Sequence, residues 1–204
     1  NAAREALRRV PGAIGFVEQD VFEDDFAQSI GDALAFTPGV FADTSSQREN
    51  RISVRGSGLN SSFERRGVNL YRDGMPVTRA SGSTEFQEVD PVTVAYLEVF
   101  KGANGLRYGG AALGGVVNMV TPTGRTAESD LALRVEGGSF GTVRASVSGA
   151  ASGERLDAFG AVTRLASEGF REHSAVDSWY GFGNVGVRLG DRLETRTYVT
   201  VIQD

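Results

Sequence analysis

The chain has no cysteine and a single histidine, His173, among 204 residues. Disulfide frameworks, thiolate zinc sites, cysteine nucleophiles and multi-histidine metal centres are therefore excluded, and neither a metal nor a cofactor is expected. A surplus of positive charge is lacking as well. Twenty-one Lys and Arg stand against 26 Asp and Glu, a net charge of −5. A nucleic-acid binder carries a basic footprint, so no nucleic-acid partner is expected. No apolar run approaches the ~18 residues a membrane helix needs. No basic–apolar signal segment opens the chain at Asn1. Membrane β-strands escape that test, because only every second residue of such a strand is apolar. Tryptophan occurs once and proline five times, whereas glycine occurs 27 times, about 13% against a usual level of about 7%.

The texture changes near residue 124. Before it, helix and strand patterns are mixed. Phe26, Ile30 and Leu34 recur at helical spacing, which predicts a helix over Asp25–Phe36, capped by Asp24 or Asp25 and stopped at Thr37-Pro38-Gly39. Strands are predicted at Arg51–Arg55, Tyr96–Lys101 and Val116–Thr121. Val68–Tyr71 and Met75–Thr78 read as a hairpin around Asp73-Gly74, a pair that tolerates positive φ. Asp90-Pro91 reads as a cap with proline at the first helical position, opening a short helix through Ala95. The segment Gly102–Gly115 holds six glycines. Short elements in mixed order imply a small α+β domain.

After residue 127 the period is two. Leu131, Leu133 and Val135 share one face; so do Val143, Ala145 and Val147; so do Trp179, Val185, Val187 and Leu189; so do Val199 and Val201. The strand near Leu156–Leu165 is apolar on both faces. Five amphipathic strands result, and they need either a soluble core or lipid against their apolar side.

Three short motifs offer chemistry. Gly137-Gly138-Ser139-Phe140-Gly141 matches G-x-S-x-G, with Asp157 and His173 following in hydrolase order. A nucleophile elbow needs a helix after the serine, whereas Val143–Gly149 alternates as a strand, which favours a tight turn. Gly56-Ser57-Gly58 lacks the third glycine and the helix of a dinucleotide fingerprint, and Gly102–Gly115 lacks the G-K-[S/T] of a P-loop. Arg65 and Arg66, with Arg72 and Arg79 nearby, form the one basic concentration, within reach of Glu64, Glu85 and Glu88 in sequence. Guanidinium forks suit anionic ligands.

An ordered series over about 120 residues resembles the plug domain of TonB-dependent outer-membrane receptors. It comprises Leu34 through Pro38-Gly39-Val40, Ile52-Ser53-Val54-Arg55-Gly56, Arg66-Gly67-Val68, and Asp73-Gly74-Met75-Pro76. Asp90-Pro91, Leu97-Glu98-Val99-Phe100-Lys101-Gly102, Leu106-Arg107-Tyr108-Gly109 and Ala112–Thr121 complete it. The Leu106–Gly109 stretch is most similar to the ferric-citrate and related iron-chelate branch.

The resemblance implies an α+β plug domain over residues 1–124, followed over 125–204 by the first five or so antiparallel strands of a transmembrane β-barrel, incomplete in this chain. A plugged outer-membrane transporter has about 22 strands, so some seventeen would lie elsewhere. Turns near Ser152-Gly153 and Gly190-Asp191 would be periplasmic, and Ser167–Ser178, the longest connection, extracellular. The implied function is active uptake of a ferric siderophore or another iron chelate, with TonB, ExbB and ExbD as partners through a segment upstream of Ala2, and outer-membrane lipid around the barrel. Arg55, Gly56, Asp73, Gly74, Gly102, Tyr108, Gly109, Gly114, Gly115 and Asn118 would be the structural positions of the plug. Its apical loops, Ser57–Phe63 and Arg79–Phe86, would touch ligand through Asn60, Ser61, Arg79, Ser81, Ser83, Thr84 and Glu85. Two other classes stay open. A passive pore or adhesin-like barrel explains the strands but not the ordered series, and a serine hydrolase rests on Ser139 alone. The leading reading involves no covalent chemistry and no enzyme.

Overall fold

The computed structural model describes residues 2–10, 12–24, 26–35, 37–44, 50–57, 67–110, 112–190 and 192–203. The chain divides into two units, Asn1–Thr121 and Pro122–Asp204. The division falls three residues before the position expected from texture, because 122–124 belong with the strands that follow.

The first unit contains α1 (Ala2–Arg8), β1 (Ile14–Glu18), α2 (Gln19–Asp24), α3 (Ile30–Leu34), β2 (Val40–Thr44), β3 (Asn50–Val54), β4 (Val68–Arg72), β5 (Met75–Pro76), β6 (Tyr96–Lys101) and β7 (Gly115–Val120). Five of the strands form a mixed sheet in the order β1-β6-β7-β4-β5, and β2 pairs with β3 separately. β6 runs antiparallel to β1 and β7, while β4 runs parallel to β7. β7 is central and almost wholly buried, which is why its sequence is nearly continuous Val and Met rather than alternating. Leu97, Val99, Val117, Met119, Val68 and Leu70 bury one face of the sheet against Ile30, Leu34, Ile52, Val54, Phe86 and Val94.

The helix predicted over Asp25–Phe36 is shorter than expected; Asp25 and Phe36 themselves lie outside the described residues. Phe26 has φ 52°, a left-handed conformation that a right-handed helix cannot pass through. Capping starts afresh at Ser29. Its hydroxyl accepts from Asp32 N and donates to Asp32 Oδ2 at 2.7 Å, and Gln28 N donates to the same carboxylate. This reciprocal cap fixes the first turn of α3. Asp90 caps as expected, accepting from Val92 N ahead of Pro91, but the turn it opens is a 3₁₀ turn of Pro91–Thr93. The hairpin is tighter than predicted: β5 is two residues long, and Asp73 and Gly74 both take positive φ, as a twisted two-residue connection requires. α1, β1, α2 and β2 were not predicted.

The second unit is an antiparallel meander of β8 (Leu131–Gly137), β9 (Val143–Ser152), β10 (Leu156–Ser167), β11 (Val176–Arg188) and β12 (Glu194–Gln203), in the order β12-β11-β10-β9-β8. It is an open sheet rather than a closed barrel. Of its connections, 168–175 is the longest and 153–155 the shortest; Asp191, in the connection after β11, lies outside the described residues.

Register aligns Leu133, Val147, Val162, Gly181 and Val201 in one row across all five strands. Leu133 is 77% exposed and Val201 61%, while Arg144, Ser146, Asp157, Thr163, Ser178 and Asn184 on the other face are buried. This is the reverse of a water-soluble sheet and the arrangement expected when lipid covers the apolar side. The register also resolves β10, whose two faces sequence could not separate: Leu156 and Val162 join the exposed face, and Phe159, Ala161 and Leu165 the buried one. No described helix is long and apolar enough to cross a membrane.

Candidate functional site

The parallel pairing of β4 with β7 gives the mixed sheet two distinct ends. At one end Val68 pairs with Gly115 and Gly115 with Lys101. At the other lie Arg72, Tyr96 and Val120, and the chain leaves the unit there at Thr121. Ser57 and Gly67, which flank the undescribed 58–66, lie at the first end. Gly114 N donates to Gly67 O there, and a Cβ on Gly114 would meet Ser57. The 79–85 loop reaches the same end, since the Thr84 hydroxyl donates to Val68 O. The 102–114 segment joins them through Gly102 N, which donates to Gly114 O at 2.7 Å. Ser57, Gly67 and the 79–85 loop thus lie opposite the exit of the chain.

The 79–88 loop is built around a turn. Arg79 N donates to Ser83 O, Gly82 N donates to Arg79 O, and Gly82 takes φ 82°. Ser81 and Ser83 share a hydroxyl–hydroxyl bond. Arg79 is more than half exposed, with Nη2 2.9 Å from Glu88 Oε1 and Nη1 4.0 Å from Glu85 Oε1. Arg79, Ser81, Ser83 and Glu85 therefore lie on one small polar surface. Thr84 does not. Its side chain is fully buried, bonded to Thr78 Oγ1 and Val68 O, so it ties the loop to β4 and presents no surface to a ligand. Asn60, Ser61, Arg65 and Arg66 lie outside the described residues.

The structural positions of the plug lie around β6 and β7. Gly115 has φ 141°, and a Cβ there would stand 2.2 Å from Phe100 O. Gly102 and Gly109 take positive φ at the two ends of a 3₁₀ segment, Gly102–Tyr108. Tyr108 closes that segment over the sheet, its ring about 5 Å from those of Tyr71 and Phe100, and its carbonyl accepts from the Tyr71 hydroxyl. Burial, together with the Glu98 carboxylate, pushes the Tyr108 phenol up to about 12. Asn118 is buried and bonded through both ends of its amide: Nδ2 donates to Glu98 Oε2 at 2.8 Å, and Oδ1 accepts from Gly74 N at 3.0 Å. Asp73 accepts from both the amide and the hydroxyl of Thr121. Arg55 and Gly56 turn the chain after β3 with positive φ. Burial and the Arg55 charge lower the Lys101 ammonium. Glu98, Tyr71 and Thr121 complete these networks and were not singled out from sequence. Glu98 was within reach of the alternation, since it stands directly opposite Asn118 in register.

Ser139 sits in a hairpin turn. Gly138 N donates to Thr142 O, Phe140 and Gly141 take positive φ, and β9 follows instead of a helix. The Asp157 carboxylate is held by Arg125 and Arg196, and His173 lies in the 168–175 connection. The G-x-S-x-G match is a turn, as its flanks suggest. No cluster of three or more metal-ligating residues is present among the described residues.

The family model of the TonB-dependent Receptor Plug Domain matches residues 6–116. The vitamin B12 transporter BtuB of Vibrio vulnificus is 28% identical over 177 residues, which cover 87% of this chain and 28% of that protein. The ferrioxamine B receptor of Salmonella typhimurium is 28% identical over 113 residues, 54% of this chain and 15% of that protein. Among solved structures, the pyoverdine outer membrane receptor FpvA of Pseudomonas aeruginosa superposes with a TM-score of 0.76 at 19% identity, over 96% of this chain and 28% of that one. The siderophore receptor PirA of Acinetobacter baumannii gives 0.68 at 18% identity, over 98% and 32%. This chain thus spans less than a third of each of these relatives. The plug sheet, the membrane-facing strands and the family match agree: the chain belongs to the TonB-dependent receptors of the Gram-negative outer membrane.

Proposed function

We propose that the chain is the N-terminal part of an active outer-membrane transporter that takes up a ferric siderophore or a similar iron chelate. Residues 1–121 act as the plug and 122–204 as the junction and first barrel strands. The observation that carries the reading is the gathering of the 79–85 loop, Ser57, Gly67 and the 102–114 segment at the sheet end opposite Thr121. A receptor must offer one end to ligand and the other to the periplasm. The names of relatives support the cargo class, since they include ferrioxamine, enterobactin and pyoverdine receptors. A vitamin B12 transporter stands among them as well, so a cobalt corrinoid is the competing cargo.

Ligand binds the apical surface carrying Arg79, Ser81, Ser83 and Glu85, together with Asn60, Ser61 and the outer loops of the barrel. TonB, energised through ExbB and ExbD, then pulls the plug into a conformation that lets the ligand pass. The chemistry is recognition and movement, with no bond made or broken, so the protein is not an enzyme. The test is uptake of iron-55 carried on hydroxamate, catecholate and citrate chelates, and of cobalt-57 cyanocobalamin, by cells whose sole receptor is the full-length protein. TonB-dependent accumulation of an iron chelate is the expected result. Accumulation of the corrinoid alone, or uptake undiminished without TonB, overturns the reading.

A further inference from the structure

The chain passes from plug to barrel at the Thr121–Pro122 bond, and it is gripped on both sides of that bond. On the plug side Asp73 accepts from Thr121 N at 2.9 Å and from Thr121 Oγ1 at 2.6 Å. On the barrel side Asn184 Nδ2 donates to Pro122 O at 2.8 Å. Arg125 Nε donates to Asp157 Oδ2 at 3.2 Å, and its Nη2 reaches Gly153 O at 2.8 Å. The Asp157 side chain is 1% exposed and is also held by both terminal nitrogens of Arg196, at 2.8 and 3.0 Å. Arg196 in turn donates to Asn184 Oδ1 at 2.7 Å. A buried carboxylate is tolerated only when paired in this manner. The bonded series Asp157–Arg196–Asn184 joins β10, β11 and β12, and Arg125 and Pro122 are tied into it.

Two further features leave this segment little freedom. Between its two anchors, Gly124 lies directly on the strands: a Cβ there would stand 2.0 Å from Ala151 O and 2.6 Å from Ala158 N. Residues 123–127 close a turn of their own, with Thr126 N and Ala127 N both donating to Thr123 O. At the joint itself, proline fixes its own φ and holds the preceding residue extended.

We propose that residues 122–125 are a fixed part of the barrel wall, clamped by Asp157 and Asn184, and that the Thr121–Pro122 bond is a stiff joint at which load on the plug is handed to that wall. Asp157, Arg125 and Asn184 are positioning residues of transport. A pull on the plug arrives at Thr121. Without the clamp it would run along the backbone to the start of β8 and load its pairing with β9. With the clamp the load passes through side chains into β10, β11 and β12 together. The role of the joint in uptake rests on the transport reading above; the clamp itself does not.

The experiment is amide hydrogen exchange on the full-length receptor in lipid nanodiscs, with neither ligand nor TonB added. Peptides covering 123–127 exchange slowly in the wild type. In Arg125→Ala the Asp157–Arg196–Asn184 series keeps its own bonds, so β10–β12 stay protected while 123–127 exchange about tenfold faster or more, the weight of a charge-assisted bond. Arg125→Lys restores part of the protection. Wild-type exchange of 123–127 at the rate of a free chain, or no change in Arg125→Ala, overturns the proposal. In cells Arg125→Ala keeps ligand affinity and loses TonB-dependent uptake. Slow exchange that Arg125→Ala accelerates, in a receptor whose uptake needs no TonB, upholds the clamp and sinks only the transport reading. Rapid exchange with normal uptake does the reverse.

Discussion

Replacing Gly115 by alanine separates crowding from backbone strain. Gly115 takes φ 141° and packs its Cα against the Phe100 carbonyl, 2.2 Å from where a Cβ would stand, with Gly102 N and Lys101 Cα each at 3.2 Å. Gly109 takes φ 105° with nothing within 4 Å of its Cβ position. Both alanines incur conformational strain of about 1–3 kcal/mol. Only Gly115→Ala must also push β6 from β7, and the listener to that push is backbone that cannot rotate away. Losing about two backbone hydrogen bonds there adds about 1–3 kcal/mol. The sum for Gly115→Ala is about 2–6 kcal/mol, against about 6–18 kcal/mol of total stability for a unit of this size. The assay is pulse proteolysis of full-length receptor across a urea series, scoring cleavage within the plug. Gly115→Ala lowers the plug midpoint well below that of Gly109→Ala. Equal midpoints for the two variants would refute close packing at β6–β7 and leave only the positive φ.

Three more outcomes are expected. Arg79→Ala removes an exposed ion pair worth about 0.2–1 kcal/mol, so plug stability barely moves while affinity for an anionic ferric chelate falls; unchanged affinity in a binding titration takes Arg79 out of the site. Asn118→Leu takes the Asn118 bond from Glu98, leaving it the Tyr108 hydroxyl at 3.5 Å, removes the acceptor of Gly74 N and costs about 2–4 kcal/mol, read as a lower urea midpoint, whereas an unchanged midpoint shows that water serves equally well. The Tyr108 phenol is raised to about 12, against about 10 in the unfolded chain, so the fold favours its neutral form. Its contribution is complete below pH 10 and is lost as pH climbs from 10 towards 12. Tyr108→Phe flattens that alkaline decline in a pH series of midpoints; a decline of the same steepness in the variant assigns it to other groups.

Local order in the chain was enough to foresee much of this architecture. The five strands after residue 130 are an i, i+2 property, so Leu131, Leu133 and Val135 declare their face without reference to any partner. The Asp73-Gly74 turn and the Asp90-Pro91 cap are equally local, because positive φ and a pre-set proline φ belong to those residues themselves. The ordered plug series carried the family, which the match over residues 6–116 shows. Tertiary structure decided the rest. Phe26 is at helical spacing with Ile30 and Leu34, yet its backbone turns left-handed and the helix begins at a new cap. Thr84 reads as one of a row of polar loop residues, and only the return of that loop along β4 turns it inward. β10 has no polar face to read, so its orientation comes from register with β9 and β11. Asp157 passed for a triad acid because its partners Arg125 and Arg196 stand 32 and 39 residues away. Periodicity reports which face a residue occupies on its own strand; which charge meets it there is fixed only when distant strands pair.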